Sequence, residues 1–313
     1  MQERWDYLIV LDACRYDYFE RSRTKYLSGG SLCCRRSVGS MTWEWRDKSF
    51  PDRYEDVVYI SSNPYVNSSH SVQGFWGKEH FSEVVDVWAS GWDLSQGTVP
   101  PHVVTQQVVQ ALKRFPGKRL IVHYLQPHAP YLGFGADCVG FPHPDVRNEN
   151  VLQGTMDTAR RHRLRSRAYV ALCSWLRGRK FFGNGARWRL AHYMGLPPLS
   201  PMDAVRRRHG VAGLRRAYEE NLHIVLKEVA VCTEYLQGKI AITADHGEFL
   251  GEEGEFSHHP GSKAAVLVNV PWLVIDQSRR VRELPIQCQE GVNASKPTQS
   301  VSVEDRLRAL GYL

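Results

Sequence analysis

Short apolar runs alternate with longer amphipathic stretches along the chain. Apolar runs of this length are typical of strands that a parallel sheet buries on both faces. The predicted strands are Tyr7–Leu11, Asp56–Ile60, Glu83–Trp88, Arg119–Leu125, Ile240–Thr243 and Trp272–Ile275. Helices are predicted at Trp43–Lys48, Val103–Phe115, Val211–Leu236 and Val303–Leu310. This alternation predicts an α/β fold, in which helices cover both faces of a mostly parallel central sheet.

Residues 141–211 interrupt the alternation. Arginine-rich runs, among them Arg160–Arg163 and Arg206–Arg208, are mixed there with tyrosine and tryptophan, and no clear strand is present. We predict a basic helical insertion or lid within a single domain of residues 1–313. Basic residues interleaved with aromatic ones can also bind nucleic acid, but the chain contains no recognisable nucleic-acid-binding motif. A solvated helix face is the favoured interpretation of this charge, and nucleic acid is a disfavoured partner.

Composition narrows the class of protein. The chain has 313 residues, 42% of them hydrophobic, so it can bury a sizeable core, and its formal charge of +7 favours anionic partners. The seven cysteines are odd in number and form no C-x-x-C pair, which predicts reduced thiols in a cytoplasmic protein. No signal peptide is visible, and no apolar run approaches the roughly 20 residues of a membrane span, so no transmembrane segment is expected.

Polar residues follow several predicted strands directly. Asp12 ends the first, Asn63 follows the second, His128 follows the fourth, and Asp245-His246 follow the fifth. Because the carboxyl ends of parallel strands share one edge of a sheet, these side chains should converge there. Carboxylates beside imidazoles suit a divalent cation such as Zn²⁺ or Mn²⁺. The alternative for Asp12 alone is an ordinary helix cap.

Other histidines and two hydroxyl residues complete the candidate chemistry. His258 and His259 return from an acidic, glycine-punctuated loop, whereas His123 lies inside a strand and is predicted to be a core histidine. Ser40 and Thr42 precede the helix predicted at Trp43. A hydroxyl there can cap the helix or act as a nucleophile towards an anion at the positive helix end. These residues alone do not decide between Ser40 and Thr42.

Three motifs and a weaker tail resemble the alkaline phosphatase superfamily, and within it the sulfatase-like and phosphoethanolamine-transferase-like branch. They are Leu11-Asp12, the run Q-P-H-A-P-Y at residues 126–131, the run T-A-D-H-G-E-F-L-G-E at residues 243–252 and the tail at residues 306–313. The D-H-G-E-x-x-G-E run is the most specific of them. The resemblance implies an alkaline-phosphatase-like fold and an enzyme that acts on phosphate or sulfate esters.

The resemblance also implies roles for individual residues. One catalytic divalent metal ion is implied, which is Zn, Mn, Mg or Ca. Its ligands would be Asp12, Thr42, Asp245 and His246. Thr42 would in addition be the nucleophile. His128 and His258 would hold the anionic group or protonate the leaving oxygen, with His259 as the alternative if the loop register shifts, and Asn63 is a further predicted substrate contact.

One departure from the family pattern favours phosphoryl chemistry. Cys33-Cys34-Arg35-Arg36 lacks the proline of the sulfatase signature, so Cys33 is not the predicted nucleophile. The resulting hypothesis is a metal-dependent hydrolase or transferase that works through a hydroxyl nucleophile and a covalent intermediate. The competing hypothesis is a non-catalytic anion- or nucleic-acid-binding protein on the same fold.

Overall fold

The computed structural model describes residues 3–137, 140–147, 163–176 and 183–284. A central sheet is formed by β1 (Tyr7–Leu11), β2 (Ser31–Arg36), β3 (Tyr54–Ser61), β4 (Phe81–Asp86), β5 (Arg119–Tyr124), β6 (Gly238–Thr243) and β9 (Asn269–Gln277). A separate hairpin pairs β7 (Phe249–Leu250) with β8 (Phe256–Ser257). The central sheet has seven strands in the order β2-β9-β6-β1-β5-β3-β4.

Strands β6, β1, β5, β3 and β4 run parallel to one another, and β9 is antiparallel to both of its neighbours, β2 and β6. All residues of β1 are buried, as expected for a central strand whose two faces are covered. The register pairs Tyr7 of β1 with Leu120 of β5 and with Ile240 of β6. The carboxyl ends of these three strands therefore lie side by side at one edge of the sheet.

Helices connect the strands. They are α1 (Tyr16–Ser22), α2 (Thr42–Ser49), α3 (Gly77–His80), α4 (Val87–Ser90), α5 (Pro101–Arg114), α6 (Arg163–Leu176), α7 (Asn184–Tyr193), α8 (Pro201–Glu234) and α9 (Ala265–Val268). Pro101 and Pro201 occupy first turns, where a missing N–H costs nothing. Gly210 interrupts α8 with a positive φ of 68°, so a regular helix resumes at Val211, as predicted.

Two elements differ from the predicted ones. Val87 and Trp88, predicted to continue a strand, form the start of α4 instead. Strand β2 was not predicted at all, because it lies at the sheet edge, is mostly exposed and reads S-L-C-C-R-R. An edge strand that buries so little carries no apolar run to reveal it. The predicted closing helix at residues 303–310 lies outside the described residues.

The described parts of residues 141–211 contain helices and no strand. That this segment is an insertion or lid, and that residues 1–313 form a single domain, stay predictions. The five cysteines in the described part of the chain are free thiols. Among the described helices, none combines the length and the apolar character that crossing a bilayer requires.

Candidate active site

Asp12, Asp245 and His246 meet at the carboxyl end of the sheet. Their ligand atoms all lie within 4.8 Å of one another, and all three residues are buried. His246 Nε2 is 3.4 Å from Asp245 Oδ2 and 4.0 Å from Asp12 Oδ1. The arrangement follows from topology, because β1 and β6 are parallel neighbours and each ends immediately before these residues. The sheet thus brings together side chains from opposite ends of the sequence.

Thr42 begins α2 and joins this group. Its Oγ1 donates a hydrogen bond to Asp245 Oδ2 at 2.7 Å and lies 3.5 Å from His246 Nε2. Ser40, the other candidate hydroxyl, contacts Glu44 Oε2 at 3.0 Å and the His259 carbonyl at 2.9 Å. We call Asp12, Thr42, Asp245 and His246 the strand-end cluster; Ser40 lies outside it.

Asn63 orients Asp12. Its side-chain amide donates to Asp12 Oδ2 at 2.6 Å, and its Oδ1 accepts from the Tyr65 backbone N–H at 2.9 Å. The same amide nitrogen is 3.5 Å from Thr42 Oγ1. Asn63, predicted as a substrate contact, therefore lies against the strand-end cluster with both of its polar atoms engaged.

Burial and crowding perturb the acids of the strand-end cluster. Burial, reinforced by the neighbouring Asp245, raises the pKa of Asp12 well above its usual range. Burial also tends to raise the pKa of Asp245, but His246, His123 and the Thr42 hydrogen bond outweigh it and lower that pKa. Two adjacent buried carboxylates and one imidazole are oxygen and nitrogen donors with an excess of negative charge. This donor set fits a divalent cation.

A second group, with a buried glutamate between two half-buried histidines, lies next to the first. His128, Glu248 and His258 place their ligand atoms within 4.8 Å of one another, and the rings of His246 and His258 are 4.3 Å apart. His258 Nδ1 is 3.0 Å from Glu248 Oε1, and His128 Nε2 is 4.0 Å from Glu248 Oε2. We call these three residues the histidine–glutamate cluster. Glu248 was not predicted as a site residue, although it belongs to the D-H-G-E run.

Burial shapes the charges of the histidine–glutamate cluster. It raises the pKa of Glu248 to about 7 and lowers the pKa of both His128 and His258 to about 4. Glu248 Oε2 is buried and has no hydrogen-bond partner. A buried, unpartnered carboxylate oxygen beside two neutral imidazoles is suited to receive a cation or a proton from a bound group.

His259 lies outside both clusters. Its ring stacks on Phe249 with centroids 5.6 Å apart and planes 6° from parallel. Its backbone carbonyl accepts the bond from Ser40 described above. His258 and His259 therefore have different environments, with His258 beside Glu248 and the His259 ring on Phe249.

Two residues that the sequence motifs did not single out hold the site loops. The buried Arg15 donates to the Glu248 carbonyl at 3.3 Å and to Glu252 Oε1 at 2.7 Å. Asn221 of α8 donates to the carbonyls of His128 and Pro130 at 3.1 and 2.9 Å. A signal for Asn221 was present, because this polar residue falls on the apolar, core-facing side of the predicted helix.

His123 is a core histidine, as predicted, but only one of its nitrogens is bonded. Nδ1 is 2.8 Å from the Tyr59 hydroxyl, while the buried Nε2 has no hydrogen-bond partner and lies 3.8 Å from Asp12 Oδ2. Burial lowers the pKa of His123 to about 4, so the ring is neutral near pH 7. The neutral ring therefore borders the strand-end cluster.

A cavity of about 680 Å³ opens at the site. Asp12, Thr42, His128 and His258 line it. Much of the remaining surface is aromatic, and we call the following six residues the aromatic wall: Trp43, Tyr65, Trp92, Phe141, Tyr169 and Trp188. Apolar pockets with a few convergent polar groups are typical of small-molecule sites.

No protein-family model matches the chain, and no curated protein matches its sequence. The soluble domain of lipooligosaccharide phosphoethanolamine transferase A from Neisseria meningitidis is similar in structure, with a TM-score of 0.52 and 15% identity over 86% of this chain and 75% of that chain. The C-terminal periplasmic domain of phosphoethanolamine transferase EptC from Campylobacter jejuni gives a TM-score of 0.46 and 13% identity over 86% of this chain and 78% of that chain.

A phosphonate monoester hydrolase from Silicibacter pomeroyi gives a TM-score of 0.40 at 15% identity, covering 88% of this chain and 69% of that chain. At these identities the fold alone is shared. The predicted fold class, a mostly parallel sheet between helices, is confirmed. The resemblance drawn from the sequence motifs therefore holds at the level of the fold, and the chain has the alkaline-phosphatase-like fold of that superfamily.

Proposed function

We propose that the protein is a metal-dependent enzyme that hydrolyses or transfers a phosphate-ester group, with Thr42 as the nucleophile. The observation that carries the proposal is the 2.7 Å hydrogen bond from Thr42 Oγ1 to Asp245, inside a buried group of two carboxylates and a histidine. Asp12, Thr42, Asp245 and His246 would hold the ion. When bound, a divalent cation supplies positive charge that favours deprotonation of the hydroxyl and balances charge on the ester oxygens.

The chain's own residues support the chemical steps. Asp245 Oδ2 accepts the hydrogen bond from Thr42 and can take its proton as Oγ1 attacks phosphorus. The new bond joins Thr42 Oγ1 to phosphorus while the bond from phosphorus to the leaving oxygen breaks. Asn63 keeps Asp12 in place through its 2.6 Å hydrogen bond. Water or an acceptor alcohol then attacks the phospho-threonine and releases the group.

His128 or His258 is the proposed acid for the leaving oxygen. Burial keeps both imidazoles neutral in the free site. A bound anionic ester raises the pKa of an adjacent histidine, because a nearby negative charge favours the imidazolium. The histidine then takes up a proton from water as the ester binds, and it can pass this proton to the departing oxygen. His259 is not proposed for this role, since its ring stacks on Phe249.

Phosphate is preferred to sulfate as the reacting group. Cys33, which lacks the proline of the sulfatase signature, lies on the edge strand β2, is exposed, and contacts the Trp272 carbonyl. The nucleophile supported by the geometry is a hydroxyl. The histidine–glutamate cluster also offers three ligand atoms, so binding of a second ion there is the alternative to a single metal.

The first test combines metal analysis with an ester panel. The purified protein is expected to contain a divalent metal and to turn over p-nitrophenyl phosphate or its diester faster than p-nitrophenyl sulfate. One equivalent of metal would support a single ion, and two equivalents would support occupation of both clusters. A protein without metal or turnover would instead favour the non-catalytic anion-binding hypothesis, and strongly salt-dependent DNA binding would favour nucleic acid.

The second test separates the two hydroxyls. Thr42→Ala should lower kcat/KM by about 10⁴-fold or more, because the nucleophile is removed. Ser40→Ala is the matched control and should leave kcat/KM near the wild-type value, since Ser40 lies outside the strand-end cluster. A Thr42→Ala protein with near wild-type activity would refute the assignment. The cytoplasmic location stays a prediction, to be checked by fractionation of the native cell.

A further inference from the structure

The cavity differs in character from the clusters at its base. Among the described residues that line it, Asp12 is the one acid and Arg187 the one arginine or lysine. Apart from the residues of the two clusters, the lining combines the aromatic wall and Arg187 with prolines and uncharged polar side chains. The base of the cavity can therefore bind an ion and a reacting group, and the wall offers aromatic rings and one guanidinium to the rest of a ligand.

Arg187 lies in the first turn of α7, and its backbone carbonyl accepts a hydrogen bond from the Tyr169 hydroxyl at 3.4 Å. Burial is the main reason that the pKa of Tyr169 rises to about 12, and the nearby Arg187 guanidinium opposes that rise. No carboxylate in the described part of the chain forms an ion pair with Arg187. By contrast, Arg206 and Arg207 both pair with Asp203.

A guanidinium at a cavity wall that has no carboxylate partner among the described residues is suited to an anion, because it offers several donors in one plane. Flat apolar faces are suited to a ring. A group that carried an ammonium would meet Arg187, and the described lining residues outside the clusters offer it no carboxylate. The wall therefore disfavours a cationic head group and favours a ring with a negative substituent.

We propose that the aromatic wall and Arg187 form a subsite for the non-reacting part of the ester, and that this part carries a ring and a second anionic group. The inference rests on the proposed function and deepens it by naming the substrate class. A phosphorylated sugar and a nucleotide-like ester share this chemistry. Arg187 contacts the second anion, Trp188 and Tyr169 contact the ring, and the first anion lies at Thr42.

The test uses paired aryl phosphates that differ only in charge. 4-Carboxyphenyl phosphate is compared with 4-carbamoylphenyl phosphate, and the corresponding biphenyl esters present the same groups at a longer distance. Dissociation constants are measured by quenching of tryptophan fluorescence, which requires no turnover, and kcat/KM is measured alongside. The two esters differ in leaving-group acidity. This difference cancels when the ratio of kcat/KM for the carboxylate ester to kcat/KM for the carboxamide ester in a variant is divided by the same ratio in the wild type.

Wild-type protein is expected to bind the carboxylate at one of the two lengths about 5- to 10-fold more tightly than the carboxamide. Arg187→Gln should abolish this preference, so that carboxylate and carboxamide bind with similar affinity. Arg189→Gln is the matched control, because Arg189 is exposed on the same helix and does not line the cavity. Arg187→Glu should shift the preference towards a 4-aminomethyl ester.

The outcomes separate the two proposals. If wild type and Arg187→Gln show the same carboxylate-to-carboxamide affinity ratio at both lengths and still turn over ester, the subsite proposal is overturned and the proposed reaction is still supported. A preference that depends on Arg187 in a metal-loaded protein that turns over no ester would support the subsite and overturn the proposed reaction. A protein that shows no preference for the carboxylate and no turnover would overturn both proposals.

Discussion

The strand-end cluster and the aromatic wall occupy the same cavity but are built in opposite ways. The cluster consists of polar side chains that contact one another across long sequence separations, as in the hydrogen bond from Thr42 Oγ1 to Asp245 Oδ2, 203 positions away. The wall includes large rings from helices of an arginine-rich segment, with Trp188 stacked on Phe256. In the proposed function, the sheet edge carries the reaction chemistry and the helical wall sets the substrate preference.

The two regions also differ in their energetic cost. Adjacent buried carboxylates disfavour ionisation, which is why the pKa of Asp12 is raised. A folded chain without a cation therefore retains a destabilising concentration of negative charge. The wall buries apolar area and carries no such penalty. The contrast predicts that disrupting the cluster alters activity and stability in opposite directions, whereas altering the wall changes affinity.

After the loss of the nucleophile in Thr42→Ala, the largest effect is expected from Asp12→Asn. Turnover should fall by about 10³-fold or more, because an ion ligand is lost. After chelation, however, the variant should be more stable than the wild type by about 1 kcal/mol at pH 7, since a buried charge has been removed. Thermal melts with and without a chelator, together with kcat/KM, measure both effects.

The pH dependence of that gain has a defined sign. A raised pKa means that folded Asp12 binds a proton at pH values where the unfolded chain has lost it, so the free energy of unfolding falls as pH rises through this range. The advantage of Asp12→Asn in the metal-free protein should therefore shrink on acidification. If Asp12→Asn is less stable than the wild type at pH 7 without metal, the Asp12 carboxylate does not destabilise the metal-free fold.

A smaller effect is expected where helix α8 supports the site. Asn221→Leu removes the bonds to the His128 and Pro130 carbonyls and leaves buried acceptors unsatisfied, at a cost of about 2 kcal/mol. Displacement of the His128 loop should lower kcat/KM by roughly 10- to 100-fold. Urea denaturation and steady-state kinetics measure the two losses.

Thr233→Val is the control for Asn221. Thr233 is also buried in α8, but its hydroxyl bonds only the Ala230 carbonyl within the helix at 2.8 Å. It should change stability slightly and kcat/KM not at all. Equal kinetic losses in the two variants would show that Asn221 acts through general stability rather than through the loop.

The smallest effect concerns the loop that carries Glu248 and His258. Burial tends to raise the pKa of Glu252, but hydrogen bonds from Arg15 and from the Leu250 N–H outweigh it and lower that pKa. The stability from this carboxylate is therefore present above the ordinary glutamate pKa and is lost as pH falls through the lowered value.

Glu252→Gln should cost about 1 kcal/mol at pH 7 and progressively less below pH 4. Glu253→Gln is the matched control, because Glu253 is exposed in the same turn. Denaturation at both pH values checks the expectation. A penalty that grows on acidification would show that the carboxylate is not stabilised by Arg15.

Sequence patterning alone determined the sheet, its parallel character and the placement of Asp12, Asn63, His128 and Asp245-His246 after strand ends. Hydrophobic periodicity is a local property, and the shared edge of parallel strands follows from it. Nothing in the local sequence marked β2, because an exposed edge strand needs no apolar run.

Residue patterns left Thr42 and Ser40 open, and the motif resemblance favoured Thr42 and His258. The tertiary structure places Thr42 against Asp245 and His258 beside Glu248, and it brings Asn221 to the His128 loop and Arg187 to the cavity. These outcomes depend on side-chain direction and on burial, both of which are set by packing between distant segments. The sequence could name the residues capable of the chemistry. Long-range packing decided which of them meet, because distances and desolvation exist only once the chain is folded.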